Sequence, residues 1–170
     1  MSKLPAHIRL TQATSIALLT TASGLNLGLS FFVVPRLLES PTALMLRQWG
    51  NMYKVTSKTL APALMLPVAL NAYLAYSLPG KSRIYGFVAA LAFSILPYTY
   101  ALLMPINRKL LSKVEEVKAL GAGVGDVLGG EMGTREDSGH ALIDNWGLYN
   151  LYRGGAALVA GGVSLYAILG

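Results

Sequence analysis

The chain has 170 residues, enough for one domain, but 54% of them are apolar and only 13% are charged, which excludes an ordinary soluble fold. With no cysteine there is no disulfide, thiolate nucleophile or thiolate metal site. The net charge of +6 is not a nucleic-acid signature, because Lys and Arg stand at the ends of apolar segments rather than in a basic stripe interleaved with aromatics.

Residues 10–35, 59–80 and 84–107 contain no Asp, Glu, Lys or Arg. About 20 apolar residues cross a hydrocarbon core of roughly 30 Å, and each window is long enough. A fourth run, 154–170, reaches roughly 25 Å, and the uncharged turn before Arg153 completes it. The pattern predicts an all-α integral membrane four-helix bundle, a single transmembrane domain over 1–170, with spans at about 10–34, 59–78, 84–104 and 146–169.

The first span follows a short tail with Lys3, His7 and Arg9, and it is too long for a cleaved signal peptide. Its small residues, as in Gly24-x3-Gly28, suit close helix packing in lipid, and Asn26 needs a partner there. Pro35 is expected to end it. In the first loop, 36–58, the segment 43–53 carries Leu44, Met45, Leu46, Trp49, Met52 and Tyr53 around Arg47, and reads as a short interfacial helix. There Trp49 and Tyr53 serve either as headgroup-level anchors or as ligand contacts.

Pro62, Pro67 and Asn71 interrupt the second span, and Pro79 to Arg83 make a tight turn. The third span holds Pro97 and Thr99 and leaves through Met104-Pro105-Ile106-Asn107. Helical spacing of Leu110, Val114 and Val117 extends it beyond the membrane. The Gly-x-Gly-x-Gly run at 121–125 follows no strand and is no dinucleotide fingerprint; it opens a long loop, about 121–140. The last helix begins between Ala141 and Trp146.

Lys and Arg are more numerous in the 36–58 and 105–145 loops than on the side of the termini, which predicts cytoplasmic long loops. On that side, Trp146, Asn150 and Arg153 recur at i, i+4, i+7 and share a helix face. Intramembrane charges usually face a bundle interior, so this face reads as one wall of a small-molecule site, with headgroup snorkelling of Arg153 as the bland alternative. Metal and triad chemistry find no support in the pattern. His7 and His140 are separated by the bilayer in this topology, and no inward Glu-x-x-His pair exists.

At these residues the sequence resembles the fungal anthrone oxygenase-like family of small four-helix membrane proteins. The matching pattern is Thr99-x4-Met104-Pro105-x-Asn107-x2-Leu110 with Trp146-x3-Asn150-x2-Arg153, together with the length, the four spans and the long loop before the last. The resemblance implies oxidation of a polyketide anthrone of the emodin anthrone kind to an anthraquinone by molecular oxygen, with no known bound redox cofactor. On that reading Arg153, Asn107 and Asn150 are catalytic, stabilising the enolate oxygen. Trp146, Trp49, Tyr53, Arg47 and Thr99 contact the substrate. Asp144 and His140 are candidates for the base only if they fold over the mouth of the site. The expected partners are an aromatic polyketide, the lipid bilayer and pathway enzymes or a second copy, with no nucleic acid, in the endoplasmic reticulum or another endomembrane. The competing reading is a non-enzymatic scaffold or small-ligand-binding protein in which the same residues pin helices together.

Overall fold

A computed structural model describes residues 4–120 and 138–169. These form four helices long and apolar enough to cross a membrane: α1 (Ala6–Leu38), α2 (Thr42–Ser77), α3 (Pro79–Ala119) and α4 (Gly139–Leu169). Among the described residues there is no strand. The protein is an all-α membrane protein, as the charge-free windows predict. At about 1.5 Å per residue each helix is longer than a hydrocarbon core of roughly 30 Å requires, so each carries a length of helix outside it.

Proline explains where the helices change. Pro35 supplies no N–H and its ring crowds the carbonyl four residues back. The chain does not stop there: Leu29–Val33 widens into a π turn and the helix resumes at Val34 and runs to Leu38. Pro105 is handled in the same way, with a π turn over Thr99–Leu103 and helix again from Met104. In α2 the break falls at Leu64, beside the Ala63 carbonyl that Pro67 has no N–H to serve. The segment 43–53 is thus not a separate short helix but the beginning of one that continues to Ala63. The helix beyond Asn107 forms as the periodicity predicts and reaches Leu120.

α4 starts at Gly139, earlier than its apolar pattern suggests. The reason is Ser138, whose hydroxyl accepts from the Ala141 N–H at 3.2 Å and caps the first turn. The loop expected at 121–140 lies outside the described residues up to 137, and 138–140 belong to the cap and first turn of α4.

The chain divides into two compact units. The first comprises 1–26, 59–97 and 152–170. Its interior sets buried polar side chains, Gln12, Ser15, Ser23, Asn71 and Ser164, among apolar ones such as Leu19, Leu74, Val88 and Ile95, while Tyr76, Phe87, Phe93 and Tyr166 are exposed. Lipid explains the arrangement, since apolar side chains lose nothing by facing it and polar ones must find partners inside. Asn71 donates to Ser15 at 2.6 Å and to the Pro67 carbonyl at 2.7 Å, and its own carbonyl accepts from Ser164 at 3.3 Å. Gln12 donates to the Tyr85 hydroxyl, and Ser23 to the Gly154 carbonyl. Asn71→Leu removes the hub of this network and is expected to cost about 1–2 kcal/mol, read as a lower unfolding midpoint in a fixed detergent. Asn71→Gln/Ser15→Ala, which keeps an amide, should lose less; an unchanged midpoint for Asn71→Leu would remove the network's structural role.

The second unit comprises 27–58 and 98–151. Its core is apolar and aromatic, built from Val34, Leu37, Met45, Leu46, Trp49, Leu103, Leu110, Val114, Ile143 and Trp146. Gly50 and Gly139 allow close approach: a Cβ on Gly50 would meet Val114 at 3.2 Å, and one on Gly139 would meet Thr42 at 3.2 Å. The residues singled out for chemistry, Arg153 excepted, fall in this unit.

Candidate functional site

Two tryptophans from different helices meet at the centre of the second unit. Trp49 of α2 and Trp146 of α4 are edge to face, with ring centroids 6.1 Å apart and planes at 87°. Tyr53, one turn after Trp49, stacks on its other side at 5.0 Å and 11°. Both geometries are favourable for aromatic quadrupoles, so three rings form a rigid wall. Trp49 is fully buried and Trp146 nearly so, whereas Tyr53 is half-buried.

The polar atoms at this wall are unevenly satisfied. The Trp146 indole N–H donates to Asn107 Oδ1 at 3.0 Å. Asn107 is itself buried, and its amide N–H faces Met104 Sδ at 4.0 Å, a weak acceptor. The Trp49 Nε1 is buried and has no acceptor among the described residues. A buried donor without a partner costs about 1–3 kcal/mol, a cost that an acceptor brought to it would relieve. Periodicity places an indole here; it does not reveal that the N–H is unspent.

Asn150 belongs to a second chain of hydrogen bonds. Its amide donates to Ser30 Oγ at 3.1 Å, and Ser30 donates in turn to the Gly147 carbonyl at 2.9 Å. Ser30 lies in the π turn before Pro35, and the sequence pattern marks it only as one of the small packing residues of α1. The wider turn is where its hydroxyl leaves α1 for α4. The bare Gly147 lets α1 approach, since a Cβ there would lie 2.9 Å from Val34 Cγ1.

Thr99 sits half-buried in the π turn before Pro105. Arg153 is one turn beyond Asn150 on the same face of α4, partly buried, with its Nε screened from solvent. It belongs to the first unit, as the division falls after Leu151. Arg47 is exposed and lines an open groove together with Tyr53 of the wall. Arg36 pairs with Glu39 at 2.8 Å on the surface.

The two candidates for the base are not at the wall. At 100° per residue, Asp144 lies on the side of α4 opposite Trp146, Asn150 and Arg153, and His140 lies about 80–140° round the helix from them. Asp144 is exposed at the edge of an apolar crevice of about 210 Å³ bounded by Ser30, Phe31, Val34 and Gly147. Among the described residues, no three His, Cys, Asp or Glu side chains converge.

The wall therefore presents three packed rings and, among the described residues, one indole N–H without an acceptor. Neither a curated protein nor a solved structure gives a significant match to the chain. A family model described as anthrone oxygenase matches residues 49–163, about two thirds of the sequence. The matched region runs from Trp49 through Tyr53, Thr99, Asn107, Trp146 and Asn150 to beyond Arg153, and leaves out Arg47. By that match the chain belongs to the anthrone oxygenase family.

Proposed function

We propose that the protein oxidises a polyketide anthrone to the anthraquinone with molecular oxygen, and that the wall of Trp49, Tyr53 and Trp146 receives the tricycle. The observation that carries the reading is the buried Trp49 N–H, which has no acceptor among the described residues, together with the Asn107 amide, which faces a thioether. An anthrone is flat, apolar and bears a ketone oxygen, so it supplies both the ring face and the acceptor that this wall lacks.

The methylene opposite the ketone is acidified by it, and loss of a proton gives an electron-rich aromatic enolate. Donors aimed at the oxygen in a site shielded from water stabilise the charge that develops there; removing one such donor typically costs about a hundredfold or more in rate. The enolate carbon then takes up dioxygen, and the hydroperoxide formed at that carbon loses water to leave the new carbonyl. The balance is one methylene and one dioxygen giving one carbonyl and one water. Because the wall supplies donors, its part is to lower the energy of the enolate, and the proton lost from the methylene is returned to the peroxide oxygen to complete the hydroperoxide. Asn150, fixed by Ser30, extends the donor set, and Arg153, about one turn further along α4, is proposed as a further catalytic residue. The cytoplasmic placement of the long loops and an endomembrane location belong to the same proposal.

The test is oxygen-dependent conversion of emodin anthrone by membranes carrying the protein, compared with Asn107→Ala and Arg153→Ala at equal protein level. Quinone formation and oxygen uptake are expected at a one-to-one ratio, falling at least tenfold in each variant. Conversion no faster than in control membranes would instead favour the scaffold or ligand-binding reading.

A further inference from the structure

We infer that the groove beside Tyr53 is a binding site for the phosphorylated headgroup of an anionic phospholipid. It has a volume of about 620 Å³ and lies within the second unit, between the first half of α2 and the last third of α3. Arg47, Lys54 and Lys58 recur at i, i+7 and i+11, which on a helix is a single stripe about 40° wide. Across from them Lys118 is neutralised by Glu115 at 2.7 Å. The three α2 cations have no carboxylate partner among the described residues, so the groove carries three uncompensated positive charges.

Its height along the helices selects the source of the anion. The charge-free window of α2 begins at Thr59, directly after Lys58, and that of α3 ends at Asn107, one turn below Leu111. The groove therefore starts at the edge of the apolar belt and rises about 16 Å, the helical distance from Lys58 to Arg47. A diester phosphate still attached to its lipid meets Lys58 and Lys54 at that edge. Arg47 lies about 10 Å higher, within reach of a second phosphate on the headgroup and beyond a single diester. Basic pockets next to spanning helices bind such headgroups, each cation adding about fivefold in affinity. The inference does not depend on the proposed oxidation.

The experiment uses the full-length protein reconstituted in phosphatidylcholine bilayers with phosphatidylinositol 4-phosphate, or with phosphatidylserine at equal total charge. Lipid retained after mild extraction is counted by native mass spectrometry. The wild type is expected to keep the phosphomonoester lipid in preference to phosphatidylserine. The triple variant Arg47→Gln/Lys54→Gln/Lys58→Gln is expected to lose it by about a hundredfold, and Arg9→Gln/Arg83→Gln, at the other end of the helices, is not. An unchanged unfolding midpoint in the triple variant excludes loss of fold, and if it does not fold, Lys54→Gln alone carries the test with about a fivefold loss. Equal retention by wild type and variant, or no preference over phosphatidylserine, overturns the inference. Displacement by soluble inositol bisphosphate at equal concentration also overturns it, because the anion would then not need its lipid.

Discussion

Trp49→Phe is expected to lower anthrone oxidation by about a hundredfold while leaving the fold as stable as before. The substitution keeps a ring against Tyr53 and Trp146 and deletes the one indole N–H that has no acceptor among the described residues. In a merely structural tryptophan, the smaller ring would leave a cavity and lower stability. Here that loss is set against removal of a buried unsatisfied donor, worth about 1–3 kcal/mol, so the two offset each other. In catalysis nothing offsets the loss, because a donor to a developing enolate oxygen is worth about a hundredfold or more. The measurement is kcat for quinone formation beside the thermal midpoint of the same preparation. Unchanged turnover with a lowered midpoint would make Trp49 a packing residue and remove the observation on which the proposed chemistry rests.

Gly147→Val should be the most damaging single change in the second unit. Even the Cβ common to all other residues would lie 2.9 Å from Val34 Cγ1 and 3.4 Å from its Cβ. Val34 cannot swing aside, since a β-branched side chain in a helix has one strongly preferred rotamer. Overpacking of this kind costs about 1–3 kcal/mol for a methyl and more for a branched group. It also moves the backbone carbonyl that Ser30 holds, and Ser30 in turn holds Asn150. A fall in the unfolding midpoint and a loss of activity are therefore expected together. Gly147→Ala/Val34→Ala, which removes the opposing methyls, should recover most of both. If the pair is no better than Gly147→Ala alone, the contact with Val34 is not what the glycine is for.

Much of the fold is legible in the order of residues, for simple reasons. Charge is so costly inside a bilayer that its absence over 10–35, 59–80 and 84–107 marks the crossings without reference to anything else. Helical periodicity likewise carries α3 past Asn107 and puts Trp146, Asn150 and Arg153 on one face. Proline is the weaker guide. Pro35 reads as a stop, yet a π turn absorbs it, and the helix beyond it is held in the core by Val34 and Leu37. The start of α4 departs from expectation for the opposite reason. A capping serine, not the apolar pattern, decides where its first turn forms.

The sequence by itself determined the membrane, the four crossings and the family, since hydropathy and a few spaced residues are local properties that need no neighbours in space. Tertiary structure decided what those residues do to one another. Asn107 and Trp146 are 39 positions apart and Asn150 and Ser30 are 120 apart, so no periodicity pairs them. Packing alone gives Trp146 an acceptor and leaves Trp49 without one among the described residues. It also turns the Asn107 amide toward the Met104 thioether, a weak acceptor, so what the wall presents is hydrogen-bond donors. That distinction is one of partners in space, and partners in space are what the order of residues along a chain does not specify.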